Sequence, residues 1–534
     1  MSNKPSSTTS PADADTPGQP YPRLARFVAF GALLLFAFVI RFHNLGTLPS
    51  GLFCDEASNG LEALSLLQTG RSLNGDLLPM FFMQHAKNPI EGLYIYLTTP
   101  FVALFGLSAW TVRLVAALAG TALVATTFLA ARALKDNSLA WFTAMLAAVS
   151  PWEFALSRVG FRGILAPVLI MLGLWGFLRM FERKNFAFVA ALGFGLALHS
   201  YSVTKAFVPL AFLAMSFLMW SELKAFLNDR ANRRTLLFAA GLFLALSIPV
   251  YWFSLLGPGN ARFEALSVGT ASHPALAFLS NFFAHLSPRF LLIAGDANGR
   301  HTPPGTGGVL LLTAAPLVLV GLIVAIVRRD RRVLLAPALF LIGIVPSALT
   351  HEGIPHALRA ITAAPFAHIL TAFGALSLLD IAEKRVGGMY ASAVAISIVA
   401  ILLTNAAWFM SRYYMNYPAA SRQWFQYGMA QAIEVAENSP HERVVLSGAI
   451  NMGYVFPLFY GSADIKAFQE REGKYLGERY VWMEGADLAR LAHDGPSGER
   501  WLLIGHPAEL PGQAKMLIKG QYDIPYVKIA EREF

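Results

Sequence analysis

Eleven apolar runs constrain this chain more than any other feature. They lie near 24–40, 112–133, 138–156, 163–179, 186–201, 206–220, 235–253, 308–327, 333–349, 360–379 and 389–410. Crossing about 30 Å of hydrocarbon takes roughly 20 apolar residues as a helix, and each run is near that length. Of the 534 residues, 55% are hydrophobic and 14% charged, against about 25% charged in a soluble globular domain. The mean hydropathy is +0.50. These values exclude a soluble enzyme, a disordered chain and a nucleic-acid-binding domain. The fold class expected is an all-α multi-span membrane domain of about 11 transmembrane helices, followed by a small α/β domain. The single cysteine, Cys54, excludes an intramolecular disulfide and a cysteine-based zinc cluster.

The ends read differently from the middle. Residues 1–22 are rich in Ser, Thr and Pro and are expected to be a disordered cytoplasmic tail. The first run follows Arg23 and Arg26 and lacks a small-x-small cleavage site, so it reads as an uncleaved first span. After residue 410 charge becomes frequent. There, 443–448 (RVVLSG) and 500–505 (RWLLIG) look like buried strands, and 422–438 has helical spacing of Trp424, Phe425, Met429, Ile433 and Val435. The domains expected are thus 23–410 in the membrane and 411–534 as an outer α/β domain.

Charge sets the topology. The run 89–106 contains Pro100 and is ambiguous. If it does not cross, five loops on the side of the N-terminus hold 15 basic residues, from Arg132 and Lys135 to Lys384 and Arg385. The other side after residue 112 holds seven: Arg158, Arg162, Lys205, Arg262, Arg289, Arg300 and Arg359. If 89–106 crosses, the asymmetry inverts and violates the positive-inside rule. The expectation is therefore an interfacial helix at 89–106, with the first loop (41–111), the loop 254–307 and the C-terminal domain all outside.

That outer side gathers the polar chemistry. Asp55-Glu56 opens a helical stretch, EASNGLEALSLL, with Leu61, Leu64 and Leu67 on one face. The plain structural alternative is that Asp55 caps this helix and Glu56 is solvated. Adjacent helical residues point about 100° apart, so at most one faces a cavity. Ser157–Arg162, His199–Lys205 and His351–Arg359 are polar clusters at span ends. Each cation there alone is more simply a snorkelling side chain. Together, Arg158, Arg162, Lys205 and Arg359 can hold an anion such as a lipid phosphate. His356 and Arg359 are spaced i,i+3 and share a helix face. The histidines are scattered, with no H-x-x-x-H pair on an outer helix. No metal site is expected, and a divalent cation finds no support in the spacing.

The order of these features resembles a known family. A first span ends in Arg41, and a long loop carries Asp55-Glu56. Asn88-Pro89-Ile90-Glu91-Gly92-Leu93-Tyr94 follows, then Gly106 and Arg113 seven residues apart. This is similar to the GT-C glycosyltransferases that use polyprenyl-phosphate sugars, of the family 39 type: protein O-mannosyltransferases and lipid A aminoarabinose transferases. The resemblance covers most of 24–410. It implies that the first-loop acid is catalytic, which falls on Asp55 with Glu56 as its neighbour. It also implies a second acid a few residues after Ser157-Arg158; that position is Gly163 here, so neither a paired carboxylate nor a metal held by one is expected there. Glu153 and Glu352 are the nearest substitutes.

The resemblance implies inverting transfer of a sugar from a polyprenyl-phosphate donor to an acceptor hydroxyl of a protein, lipid or glycan. The transfer takes place on the extracytoplasmic face of the inner (plasma) membrane. Asp55 would serve as base, and Arg158, Arg162, Lys205, His356 and Arg359 would stabilise the phosphate. Two rivals remain. A lipid or sugar transporter would show more intramembrane charge and repeat halves. A non-catalytic assembly subunit would use Asp55 as a cap only.

Overall fold

The computed structural model describes residues 23–84, 88–470, 479–483, 500–508, 510, 514–519 and 525–533. The tail expected at 1–22 lies outside the described residues. All eleven apolar runs are helical. In chain order, α1 (Arg23–Phe42) leads into the first loop. That loop holds α2 (Cys54–Thr69), the hairpin β1 (Phe81–Gln84) and β2 (Asn88–Glu91), and α3 (Leu93–Phe105). Then come α4 (Ala109–Leu134), α5 (Asn137–Val149), α6 (Pro151–Leu156), α7 (Leu165–Met180), α8 (Phe186–Leu198), α9 (Thr204–Leu218), α10 (Trp220–Asn228) and α11 (Arg230–Leu256). After α12 (Ala261–Leu266) and α13 (Pro274–Leu286), the bundle closes with α14 (Ala315–Arg328), α15 (Arg331–Ala348), α16 (Ala364–Val386) and α17 (Gly388–Met415).

The helices start where the sequence supplies caps. Ser108 accepts from Thr111 N, Asp136 from Leu139 N, Asp229 from Asn232 N and Asp330 from Arg332 N. Interior helices approach closely at small residues. A Cβ on Gly374 would lie 1.9 Å from the Leu317 carbonyl oxygen, and one on Gly321 would lie 2.0 Å from that of Leu370. The backbones of α14 and α16 are therefore in contact, as small residues allow between membrane helices. Peripheral α11 and α17 instead expose large apolar residues such as Leu237, Phe238, Ile396 and Leu403, a surface suited to lipid. The protein is a multi-pass membrane protein.

Two segments needed the structure. Among the described residues, eight helices are long and apolar enough to cross, nine if the bent pair α9–α10 counts as one. The runs at α5, α8 and α14 form shorter helices. One of the eight, Pro274–Ile293, lies in the loop expected outside. Ser267 before it pairs with Thr350, and Asp296 after it accepts from Ala357 N. The segment therefore leaves and returns at the same end of the bundle and does not cross. Helix α3 has 13 residues, about 20 Å at 1.5 Å per residue, short of the hydrocarbon thickness.

After α17 the chain forms α18 (Tyr417–Ser421) and α19 (Met429–Glu437), the latter shorter than the 422–438 pattern. The strands are β3 (Arg443–Ser447), β4 (Tyr480–Met483), β5 (Arg500–Gly505), β6 (Ala514–Lys519) and β7 (Pro525–Glu533), in the order β4-β3-β5-β7-β6. The two strands read from sequence, β3 and β5, are parallel neighbours at the centre. This region docks on the first loop: Gln426 accepts from Cys54 N at 2.7 Å, and Gln469 donates to Ser65 Oγ at 2.7 Å.

Candidate functional site

The first loop is held by buried charge. Glu56 is fully buried and pairs with Arg113, Nε–Oε1 2.8 Å and Nη2–Oε2 3.1 Å. It also accepts from Gly160 N at 2.7 Å and from Phe53 N at 3.1 Å. The rest of the Arg113 guanidinium donates to the Leu45, Pro49 and Gly51 carbonyls. Glu56 thus has no free lone pair facing a substrate; it ties α2 to α4 and to the turn after α6. Phe53 is the N-cap residue of α2, and Asp55 lies in the first turn. Asp55 therefore does not cap the helix, and its carboxylate is left to another use.

That use is indicated by a cavity of about 610 Å³ at the end of the bundle that carries the first loop. Asp55 lines it, half-buried, with a loose contact of 3.8 Å to Cys54 Sγ. Around it stand Arg162, Lys205, Arg262, Arg300 and Arg359. The wall thus carries five cations against three carboxylates (Asp55, Asp296 and Glu352), a balance that favours an anion. Buried Glu91, at the end of β2, spaces two of the cations: Lys205 Nζ lies 3.2 Å from Oε1 and Arg162 Nε 3.4 Å from Oε2. Arg359 is oriented by Glu352 Oε2 at 2.8 Å and Thr350 Oγ1 at 2.9 Å. The Arg300 guanidinium lies 3.8 Å over the Phe53 ring.

Several expected residues take other places. Arg158 is not a phosphate ligand: it is fully buried and donates to the Ile40, Arg41, His43 and Leu48 carbonyls and to the Tyr413 hydroxyl. Glu153 is not a secondary acid at the site, because it is sealed in the bundle against His368 Nε2 at 2.8 Å. Glu352 does line the cavity, as the partner of Arg359. Where the resemblance implies a second acid, a Cβ on Gly163 would meet the Leu358 side chain at 2.6 Å, so Leu358 fills that space.

Other members of the wall were not legible as a set. Asp296, His301 and His356 present ligand atoms within 4.8 Å of one another, although no spacing along the chain announces it. Asp296 and His301 are five residues apart, and His356 comes from a different loop. The His356 imidazole is held well below its usual value, first by burial and then by His301 and Arg359. Arg262 and Arg300 were visible only as charges in outer segments, and Glu91 only as part of the Asn88–Tyr94 motif, with no role attached.

The fold and the cavity together define a multi-pass membrane protein with a cation-rich cavity bordered by its first loop. Residues 90–253 match the family model described as dolichyl-phosphate-mannose-protein mannosyltransferase. The structure resembles ArnT from Cupriavidus metallidurans in the apo state, at 14% identity and TM-score 0.55, covering 95% of this chain and 98% of that one. ArnT bound to undecaprenyl phosphate matches at 14% identity and TM-score 0.52, with the same coverage. The archaeal oligosaccharyltransferase AglB from Archaeoglobus fulgidus, in complex with an inhibitory peptide and a dolichol-phosphate, matches at 12% and 0.51, covering 90% of this chain and 70% of that one. No curated protein matches. The fold is thus the one shared by ArnT and AglB.

Proposed function

We propose that the protein transfers a sugar from a polyprenyl-phosphate carrier to an acceptor hydroxyl, with inversion, on the extracytoplasmic side of the inner (plasma) membrane. The observation that carries this reading is Asp55 opposite a cation-rich wall in one cavity at the membrane end. The solved relatives in complex with undecaprenyl phosphate and dolichol-phosphate support the donor class. The 15-to-seven charge asymmetry supports the sidedness.

In the reaction, the acceptor oxygen attacks the anomeric carbon while the bond from that carbon to the phosphate oxygen breaks. Asp55 takes the hydroxyl proton as general base. Lys205, Arg162 and Arg359, with His356 beside them, stabilise the charge that returns to the polyprenyl phosphate. The leaving phosphate needs no proton, so one carboxylate suffices for a single displacement. The absence of an acid at Gly163 is compatible with this route. The hydrocarbon of the carrier lies along the apolar helices.

The test is release of polyprenyl phosphate by purified protein given polyprenyl-phosphate hexose and pentose donors. Acceptor-dependent release with an inverted product is expected. Failure to bind any donor of this class would remove the reading and favour the transport or assembly roles.

A further inference from the structure

The Asp296, His301 and His356 cluster does more than line the wall. We propose that it is a divalent transition-metal site of the zinc class, whose open position takes an anionic oxygen from the cavity.

The three residues converge from two loops and are almost closed to solvent, with side chains 2%, 7% and 12% exposed. Asp296 Oδ2 lies 2.7 Å from His301 Nδ1 and 3.8 Å from His356 Nδ1. The two imidazole rings stack at 4.5 Å and 28°. Two imidazoles and one carboxylate suit zinc and its neighbours, whereas calcium and magnesium take oxygen ligands. Three protein ligands with a fourth position open to a cavity is the arrangement of a reactive rather than a sealed metal site.

Second contacts orient Asp296 and His356, as metal sites require, and His301 is held through Asp296 itself. Asp296 Oδ1 accepts from Asn298 N at 2.7 Å and Oδ2 from Ala357 N at 2.9 Å. The backbone N of His356 donates to His285 Nε2 at 3.0 Å, and His285 Nε2 meets Ser347 Oγ at 2.7 Å. His356 Nδ1 accepts from Arg359 N at 3.2 Å, which leaves Nε2 as that ring's uncommitted nitrogen. A divalent ion beside one carboxylate adds positive charge next to Arg300 and Arg359. The open position therefore favours an anion; resting on the donor reading above, that anion is a phosphate oxygen of the carrier.

The test uses untagged full-length protein in detergent, stripped with a chelator and then loaded with Zn2+ or Co2+ alone. One Zn2+ per chain is expected, and bound Co2+ should show visible d–d absorption. His301→Ala and His356→Ala should each weaken Zn2+ binding at least about 100-fold, beyond the 10- to 100-fold usual for loss of a supporting contact. Asp55→Asn should keep its metal. No stoichiometric Zn2+ in folded wild-type protein would overturn the proposal, as would unchanged affinity in both histidine variants. If those variants do not fold, the wild-type Co2+ spectrum decides, and absence of its bands overturns the site. Metal loading is read without turnover, so this proposal and the transferase reading fail separately.

Discussion

Asp55 and Glu56 stand next to each other in one helical turn and have opposite fates. The 100° step between them sends Asp55 to the cavity wall and Glu56 into a fully buried pair with Arg113. Removing one partner of such a pair leaves a buried charge and costs roughly 3–5 kcal/mol. Glu56→Gln is therefore expected to lower the melting temperature strongly. A melting curve within a degree or two of wild type would show that the pair does not hold the loop. Lys205→Ala leaves Arg162 facing Glu91, so it should weaken donor binding more than it lowers the melting temperature, by about 10- to 100-fold, the value of a charge-assisted hydrogen bond of roughly 1.5–3 kcal/mol; unchanged donor affinity would return Lys205 to a structural role. The sequence could say that only one acid faces the site. It could not separate Arg158 from Arg162, since both are cations at the end of a span. What divides them is tertiary: Arg158 has its donors taken by four carbonyls and Tyr413, whereas Arg162 has one carboxylate partner and an open cavity.

Helix α2 shows what an element adds. Its Glu62 is buried, accepts from Leu73 N at 2.8 Å, and has its carboxyl pushed up to about 8, mainly by burial. An unfolded glutamate titrates near 4.3. The folded state therefore keeps a proton that the unfolded state loses. Stability from this group is fully present below about pH 4.3 and declines as pH rises toward 8. Glu62→Gln keeps the acceptor for Leu73 N and removes the titration. It should melt higher than wild type at pH 8 and like wild type near pH 4.5; equal melting at both would refute the buried carboxyl. The helices themselves were legible because twenty apolar residues admit little else in a membrane. The 274–293 segment was not, because its amino acids differ little from a span and only the contacts of its two flanks reveal the return. The same holds for Asp296, His301 and His356: a cluster built from two loops leaves no periodicity to read.

At the scale of the whole molecule, the first loop, the 254–307 segment and the C-terminal region, through Gln426 and Asn451, meet at one end of the bundle, around the cavity. Their common end follows from the even pairing of spans, which charge counting could supply. Which face of the cell that end meets is tested by an introduced cysteine at 470, with Cys54 replaced. Labelling by an impermeant reagent at the outer surface is expected, and protection in cells with an opened outer barrier would reverse the topology. The central claim is that this end is a transferase site with Asp55 as its base. The direct measurement is turnover of Asp55→Asn with a polyprenyl-phosphate sugar, beside a melting curve in detergent. Asn has nearly the size of Asp, and the Asp55 side chain caps nothing, so the melting curve should barely move. Transfer should fall by at least about 100-fold, the share of a general base. Near-normal turnover by folded Asp55→Asn protein would contradict the account.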